Sequence, residues 1–165
     1  MSYYQNPKTS LVGYVSSLAA ITIPEADVTF TNVKPASAEE ITKHGRNSRC
    51  VINFVPTSTV ASGSSYLWFD RLDLAILAKM VLVPRSADLG NSVYDLLADI
   101  KAMTAIPFTS DDLVETFVTD LGNGKFNLVL TAKPTSIGWI GTVNIPFNPV
   151  PDISTAFKAN TLNLF

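Results

Sequence analysis

An internal repeat constrains the fold of this 165-residue chain more than any other feature. Residues 51–58 (VINFVPTS) align with residues 129–136 (VLTAKPTS), which begin 78 positions later (129 − 51). The same offset carries residues 63–70 onto residues 141–148 without a gap, with a shared glycine and a shared phenylalanine. Because a repeated pattern indicates a repeated structural unit, we predict two tandem copies of one small module.

A helical pattern of apolar residues precedes each copy. Apolar side chains recur at i, i+3, i+4 and i+7, which is the spacing of one face of an α-helix. These residues are Leu11, Tyr14, Val15 and Leu18 before the first copy, and Val93, Leu96, Leu97 and Ile100 before the second. We expect Thr9 or Ser10 to cap the first helix. We expect Asn91 or Ser92 to cap the second helix.

Strand patterns follow each helix. A turn with an acidic residue comes first, at residues 23–28 and again at residues 108–113, here 85 positions apart (112 − 27). The predicted hairpin strands are residues 50–55 and 65–69 in the first copy, and 125–131 and 142–147 in the second. Asn123-Gly124 predicts a tight turn before residue 125, and residues 117–120 predict a further strand.

Three segments lie outside the repeated pattern. Residues 34–47 are an insertion in the first copy, in which we predict a short helix that Gly45 ends. Residues 80–83, in the connection between the copies, predict a strand. After the second hairpin, Pro149 and Pro151 are too close together to continue a central strand.

The predicted fold class is therefore α+β, with two tandem small modules, each an amphipathic helix packed on a short antiparallel β-meander or hairpin. The predicted organisation is an N-terminal arm at 1–8, a first module at 9–78, a linker at 79–88, a second module at 89–148 and a C-terminal tail at 149–165.

The last strands of the two hairpins agree on one face and differ on the other. Strand alternation predicts that the core-facing residues are Ser65, Leu67 and Phe69 in the first copy, and Val143, Ile145 and Phe147 in the second. On the opposite face, Tyr66 and Trp68 stand where the second copy has Asn144 and Pro146. We expect either the other module or another subunit to cover this aromatic pair, since aromatic residues are enriched at interfaces.

The tail is apolar beyond the last module. Its apolar side chains include Phe157, Leu162, Leu164 and Phe165. Exposed apolar surface of this kind marks a contact site, so we expect the tail to pack on its own domain or on a neighbouring subunit, with a disordered tail as the third alternative. With Tyr66, Trp68 and Trp139, which we expect to be exposed, these residues form the candidate interface.

The composition agrees with a protein that works through contact surfaces. Charged residues make up 16% of the chain, below the roughly 25% of an average globular protein. The formal net charge is −2 and no dense Lys/Arg run occurs, so no nucleic-acid partner is expected. Residues 74–84, the longest apolar stretch, include Lys79 and are shorter than the roughly 20 residues of a membrane span. We therefore expect no membrane partner, and we expect the protein to stay in the cytoplasm in which it is made until it is assembled.

The residues that catalysis and metal binding need are scarce. The single histidine, His44, is expected at a helix end as a solvated loop residue, and the single cysteine, Cys50, in the apolar interior. A zinc site or a nucleophile–histidine pair would need more such residues. The carboxylate pairs are Asp70 with Asp73, Asp95 with Asp99, and Asp111 with Asp112. A local ion-pair cluster at a strand end explains the first pair, a solvated helix face the second and a helix terminus the third. No catalytic residue, cofactor or metal is therefore predicted.

Four segments of the first copy occur in one order: residues 26–30 (ADVTF), 47–54 (NSRCVINF), Gly63 and 68–75 (WFDRLDLA). Together they resemble an uncharacterised repeat-domain family of virion structural proteins from large tailed bacteriophages. The chain departs from the family pattern at Phe69-Asp70, where Tyr-Asn is usual, at 56–58, where small Gly-rich residues are usual, and at Pro149, where Arg is usual. The resemblance extends to about residue 148 and implies a particle component without a catalytic motif.

Three hypotheses follow. The first is a non-enzymatic structural protein of a tailed-phage virion, a head, neck, tail or baseplate component that forms a homo-oligomer or symmetric assembly with other virion proteins. The second is a carbohydrate-binding or host-recognition module, which would need exposed aromatic rings beside polar groups in a groove. The third is a small hydrolase, which would need two carboxylates that converge in one pocket.

Overall fold

The structure of the protein, a computed structural model, describes residues 6–79, 91–122 and 125–147. This described part has a mixed α+β fold with three α-helices and antiparallel sheets. The helices are α1 (Pro7–Ala19), α2 (Ala38–His44) and α3 (Leu97–Thr104). The strands are β1 (Val28–Pro35), β2 (Ser48–Phe54), β3 (Ser64–Phe69), β4 (Leu72–Asp73), β5 (Thr119–Gly122), β6 (Lys125–Thr131), β7 (Trp139–Ile140) and β8 (Thr142–Phe147).

Two three-stranded antiparallel sheets organise the chain, in the orders β1-β2-β3 and β5-β6-β8. We call residues 6–70 the first half, residues 91–147 the second half and residues 71–79 the connecting segment. Cys50 lies opposite Leu67 in the first sheet, and Leu128 lies opposite Ile145 in the second. Each of the six pairs between β2 and β3 has a counterpart 78 residues later between β6 and β8. The predicted hairpin strands are confirmed to within two residues at their ends.

The first helix begins earlier than expected. Asn6 is its N-cap, and the Asn6 side chain accepts a hydrogen bond from the Lys8 N–H at 2.9 Å. Pro7 is the first helical residue, a position where a missing N–H has no intrahelical cost. The expected cap at Thr9 or Ser10 is therefore wrong, because both residues lie inside the first turn of α1.

The third helix begins later than expected, at Leu97. Ser92 nevertheless caps the turn before it: its Oγ accepts from the Tyr94 N–H at 3.1 Å, and Asp95 accepts from the Ser92 N–H at 2.9 Å. Val93 and Leu96 of this turn are almost completely buried, as is Ile100 of α3. The predicted apolar face is thus buried, although only its second part is α-helical.

The insertion of the first copy forms α2, as predicted. Ser37 accepts from the Glu40 N–H at 3.2 Å while the Glu40 carboxylate accepts from the Ser37 N–H at 2.9 Å, a reciprocal capping box. Gly45 ends the helix with φ of 66°, a left-handed conformation that glycine adopts without strain. Ser37 and Gly45 thereby place α2 beside the start of β2, where Glu40 contacts Arg49.

The core lies between the helices and the inner faces of the sheets. Leu67 and Phe69 are buried with Leu11 and Cys50 in the first half, and Val143 and Ile145 are buried in the second. Ser65, however, is exposed, so its assignment to the core is wrong. Its counterpart Val143 is only 5% exposed because the 3₁₀ helix Leu74–Lys79 of the connecting segment lies against β8.

The connecting segment leaves the first half and packs on the second. β4 pairs in parallel with β7, with Leu72 beside Trp139 and Asp73 beside Ile140. Leu74 and Leu77 are 0% exposed and belong to the core cluster of the second half. The core of the second half therefore includes residues that lie before the expected module boundary at residue 78.

Several predicted features lie outside the described residues. They are the N-terminal arm through residue 5, the strand at 80–83, most of the linker, the Asn123-Gly124 turn and the tail with Phe157, Leu162, Leu164 and Phe165. Within the described helices, no segment is long and apolar enough to cross a membrane.

Candidate interaction surface

Two aromatic side chains of β3 lie on the outer face of the first sheet, the face opposite α1. Leu67 and Phe69 point into the core, so strand alternation turns Tyr66 and Trp68 to the other side. The pairing of β2 with β3 places Trp68 opposite Arg49. We call Arg49, Tyr66 and Trp68, with His44 and Glu40 of α2, the aromatic surface.

The histidine of α2 covers the tryptophan. The rings of His44 and Trp68 stack with their centroids 3.8 Å apart and an interplanar angle of 13°. His44 is the last residue of α2, which confirms its expected place at a helix end. It packs on an aromatic ring, however, so its expectation as a solvated loop residue is wrong. Trp68 is half-buried by its own half, whereas Tyr66 remains 59% exposed. The expected aromatic pair therefore offers one open ring, that of Tyr66.

Arg49 links the two elements of the aromatic surface. Its Nη1 lies 2.8 Å from Oε1 of Glu40, and its guanidinium carbon lies 5.5 Å from the centroid of the Tyr66 ring. The Ser37 N–H lowers the pKa of the Glu40 carboxyl, and the charge of Arg49 lowers it further. The carboxylate stays ionised, so the ion pair with Arg49 persists through the neutral range.

A groove lies beside the aromatic surface, with a volume of about 410 Å³. Its lining residues are Ser37, Glu39, Glu40, Lys43, His44, Arg49 and Trp68. These side chains are mostly polar, and they carry both signs of charge next to an indole ring. The sequence pattern did not indicate a role for Arg49 or its contacts, although the position of Arg49 opposite Trp68 follows from the hairpin register.

A second groove, of about 360 Å³, lies where α1 meets the second half. Arg46 and Asp70 border it, with Nη1 of Arg46 2.6 Å from Oδ2 of Asp70. The hydrogen bond from Arg46 lowers the pKa of the Asp70 carboxyl. Arg46 also lies 5.9 Å from the ring centroid of Tyr14. This groove combines apolar walls of α1 and β7 with one exposed ion pair.

Arg71 is buried at the junction between the halves, with 3% of its surface exposed. Its Nε donates to Ser48 Oγ at 2.8 Å, and its Nη1 donates to the carbonyls of Pro134 and Ser136 at 3.2 Å. Burial lowers the pKa of the guanidinium, which stays protonated at neutral pH. Arg71 therefore ties β2 of the first half to the loop before β7 in the second.

Trp139 is 3% exposed, so its expected exposure is wrong. Its ring lies 4.7 Å from that of Phe108, centroid to centroid, inside the core of the second half. The connecting segment pairs with the strand that carries Trp139 and closes this core over the indole. Trp139 therefore stabilises the fold and presents no ring to a ligand.

Two grooves of the described chain are each lined by two acidic residues, Glu39 with Glu40 and Asp111 with Asp112, but one carboxylate of each pair is already bonded. Glu40 forms the ion pair with Arg49. Asp112 is buried and accepts hydrogen bonds from Thr109 and from Ser136 Oγ, and Asp95 caps the turn at Ser92. The described residues contain no group of three or more histidine, cysteine or acidic side chains arranged to hold a metal. Burial raises the pKa of the Cys50 thiol to about 12.

Comparison with curated proteins found no match, and comparison with solved structures found none either. Comparison with protein families found one, whose profile matches residues 1–165 and therefore the whole chain. On this full-length match, the chain belongs to the family of unknown function DUF7941.

Proposed function

We propose that the chain consists of two tandem copies of one module, each a helix packed on a three-stranded antiparallel sheet. The hairpin registers agree at an offset of 78 residues across all six pairs. Gly63 and Gly141, also 78 residues apart, have φ of 89° and 85°. Glycine adopts these left-handed angles without strain, so each marks the same turn before the last strand of a sheet.

A second correspondence comes from the turn after each helix. Asp27 accepts a hydrogen bond from Ser58 Oγ at 2.8 Å, and Asp112 accepts one from Ser136 Oγ at 2.9 Å. The same aspartates accept backbone hydrogen bonds, through their carbonyls, from Val55 N–H at 2.9 Å and Lys133 N–H at 2.8 Å. Two unrelated units would not reproduce both the side-chain and the backbone bond at the same positions. The duplicated module explains both.

We further propose that the protein is a non-enzymatic structural component of a tailed-phage particle that acts through protein–protein interfaces. The single observation that carries this proposal is the exposed Tyr66 ring beside Arg49 and Trp68. Tyrosine, tryptophan and arginine are the residues most enriched at interface hot spots. Arg49 is already held by Glu40, so little side-chain freedom is lost when a partner covers the surface.

Other apolar side chains are exposed as well. Leu18 is 64% exposed on α1, while Phe117 and Leu121 are 57% and 58% exposed in and next to β5. A chain that presents such side chains on both halves is suited to several contacts at once, as in a symmetric assembly. The resemblance of the first copy to virion repeat domains supports the same class of role.

Incorporation into particles tests this function. A tagged copy of the chain is produced in infected host cells, and purified particles are assayed for the tag. We expect Tyr66→Ala to reduce incorporation at least several-fold, because it removes the exposed ring of the aromatic surface. Asn144→Ala changes the matching position of the second half and serves as the control. Absence of the unsubstituted chain from purified particles would refute the virion role.

The groove of about 410 Å³ favours one alternative, a carbohydrate-binding or host-recognition module. It places Lys43, Glu39 and Arg49 beside the edge of an indole ring, and sugars need polar groups of this kind next to an aromatic ring. The stacked His44, however, occupies one face of Trp68. Titration with oligosaccharides, followed by the NMR signals of the Trp68 indole, distinguishes this alternative, since shifts confined to the groove would support it.

A further inference from the structure

At the junction between the halves, one chain segment, which we call the donor, docks on the edge of another, which we call the acceptor. The donor is the connecting segment, which follows the last strand of the first half. Its Leu72 N–H donates to the Gly138 carbonyl at 2.9 Å, and its Leu74 and Leu77 are buried completely. The acceptor is β7 of the second half, which receives β4 as a parallel strand. Each half carries the acceptor, but the described connection fills only one.

The acceptor of the first half is residues 61–63, which correspond to residues 139–141 at the offset of 78. At Gly141, a Cβ would lie 2.5 Å from Oδ1 of Asp73, so the donor strand passes directly against this glycine. At Gly63, no described atom lies within 4 Å of the same Cβ position. Ala61 and Ser62 form no backbone hydrogen bond with another described residue. The same backbone turn is thus covered in one half and open in the other.

Side-chain exposure shows the same contrast. Val143 and Ile106 belong to the core cluster that contains Leu74 and Leu77, and they are 5% and 1% exposed. Their counterparts in the first half are Ser65, at the offset of 78, and Ile21, at the offset of 85 between the turns after the helices. Ser65 is exposed, and Ile21 is 40% exposed. Surface that the connecting segment helps to bury in the second half therefore remains open in the first. We call residues 61–63, Ser65 and Ile21 the open acceptor.

The sequence after β8 repeats the residue pattern of the donor. Val150 follows Leu72 at the offset of 78, and Asp152-Ile153 follows Asp73-Leu74 at an offset of 79. Pro151 is the one additional residue, and a proline is tolerated at a bulge. In the connecting segment, Asp73 accepts from the Ala75 N–H at 2.9 Å, and Asp152 has a small residue, Ser154, at the same spacing. The acidic residue and the apolar residue after it are therefore both repeated in the sequence.

We propose that residues 150–153 of one copy of the chain pair in parallel with residues 61–62 of a second copy, in the way that β4 pairs with β7. This inference rests on the proposed duplication of the module. The connecting segment follows the first half and docks on the second half. By the same relation, the segment after the second half docks on the first half of another molecule. Such an interface is heterologous, and repetition of it builds a head-to-tail chain or a ring.

The intermolecular contact is weaker than the internal one. Pro149 stands at the offset position of Arg71, so the hydrogen bonds from the guanidinium to the Pro134 and Ser136 carbonyls have no equivalent. The internal junction also gains from the continuous chain, which raises the effective concentration of its donor. The head-to-tail contact therefore depends on protein concentration, as suits a component that joins only when many copies meet.

Cysteine cross-linking tests the pairing directly. One copy carries Ala61→Cys and the other, of different size because of a tag, carries Val150→Cys; these positions match the pair Leu72 and Trp139. The native Cys50 is 1% exposed and does not compete. Under mild oxidation, we expect a disulfide-linked product that contains one chain of each size. Ser64→Cys, on the opposite face of the sheet, replaces Ala61→Cys as the control and gives little product.

Sedimentation velocity tests the direction of assembly. Ser65→Arg places a charge on the open acceptor, and Ile153→Asp places one on the donor, so each variant alone is expected to remain monomeric. A mixture of the two is expected to form dimers and nothing larger, because only one intact donor and one intact acceptor meet. The controls Ser64→Arg and Thr155→Asp, the latter matching the 40% exposed Ile76, retain concentration-dependent assembly.

The outcomes separate this inference from the proposed function. Two results overturn the head-to-tail pairing. Monomers at all concentrations mean that no docking occurs, and a disulfide within one chain that carries both Ala61→Cys and Val150→Cys means docking on the same copy. If such monomers still enter particles, the virion role stands without the pairing. If head-to-tail assembly occurs but particles contain no copy of the chain, the pairing stands and the virion role fails.

Discussion

Truncation of Leu77 tests whether the connecting segment belongs to the core of the second half. Leu77 is 0% exposed and belongs to the cluster that contains Trp139 and Ile145. Replacement of a buried leucine by alanine removes its transfer free energy and leaves a cavity, at a cost of about 2–5 kcal/mol. For a chain of this length, each kcal/mol lowers Tm by about 2–4 °C, so a loss of about 3 kcal/mol lowers Tm by roughly 6–12 °C.

The neighbouring residue provides the matched control. Ile76 lies in the same 3₁₀ helix but is 40% exposed, so Ile76→Ala should change stability by no more than about 0.5–1 kcal/mol. Both variants are compared by thermal unfolding in a Trp68→Phe background. Trp139 is then the single remaining tryptophan, and its fluorescence reports on the core of the second half.

Equal losses of Tm in the two variants would refute this reasoning, since they would mean that Leu77 is no more buried than Ile76 in solution. A loss confined to far-ultraviolet circular dichroism, without a change in Trp139 fluorescence, would equally contradict it. The expected result is a large, concerted shift for Leu77→Ala and a small one for Ile76→Ala.

Three further predictions concern single sites. Gly63→Ala should lower the free energy of unfolding by about 1–2 kcal/mol because of the positive φ at this position. Gly141→Ala should lower it further, because the added Cβ also meets the Asp73 carboxylate of β4. Equal losses in urea unfolding would argue against that contact. Burial raises the pKa of Cys50 to about 12 from its ordinary 9.0, so a thiol reagent near pH 8 should react only after unfolding. The stability that the protonated thiol contributes should be lost as the pH rises from 9.0 to about 12. Fast labelling of the folded chain would contradict this. The lowered pKa of Asp70 means that its contribution to the stability of the folded state is present above pH 3.8 and is lost as the pH falls through the folded-state pKa. Arg46→Ala should bring the pKa of Asp70, measured by NMR, back toward 3.8. An unchanged pKa would exclude Arg46 as the cause.

The strands and their register were accessible from sequence because they rest on short-range signals. Alternation along residues 50–55 and 65–69, with a glycine of positive φ before the second strand, restricts how a hairpin can pair. The pairs between β6 and β8 follow the same register 78 residues later. The end of α2 at Gly45 also followed locally, whereas the Ser37–Glu40 capping box at its start was recognised only in the structure.

The candidate surface was predictable only in part. Tyr66 is exposed as the alternation of β3 indicated, but the stacking of His44 on Trp68 depends on how α2 returns to the sheet. The ion pair of Arg49 with Glu40 depends on the same return. Contacts between segments that are distant in sequence have no local signal, so the covering of Trp68 by its own half could not be derived from the pattern.

The burial of Trp139 and the exposure of Ser65 have one common cause. Residues 139 and 61 occupy matching positions of the repeat, as do residues 143 and 65, and the local pattern treats each pair alike. The connecting segment covers the second half and not the first, which buries Trp139 and Val143 and leaves Ser65 open.

The chain's local pattern was sufficient for its α+β class and for the register of its hairpins, because backbone pairing and side-chain alternation act over a few residues. Tertiary packing decided which residue of each matching pair, such as Val143 and Ser65, is buried. Burial depends on a segment that crosses from one half to the other. Arg71 holds that segment through hydrogen bonds to the carbonyls of Pro134 and Ser136, and Leu74 and Leu77 hold it through the core of the second half. The physical difference is range: alternation is a property of the strand, whereas exposure is a property of what lies on top of it.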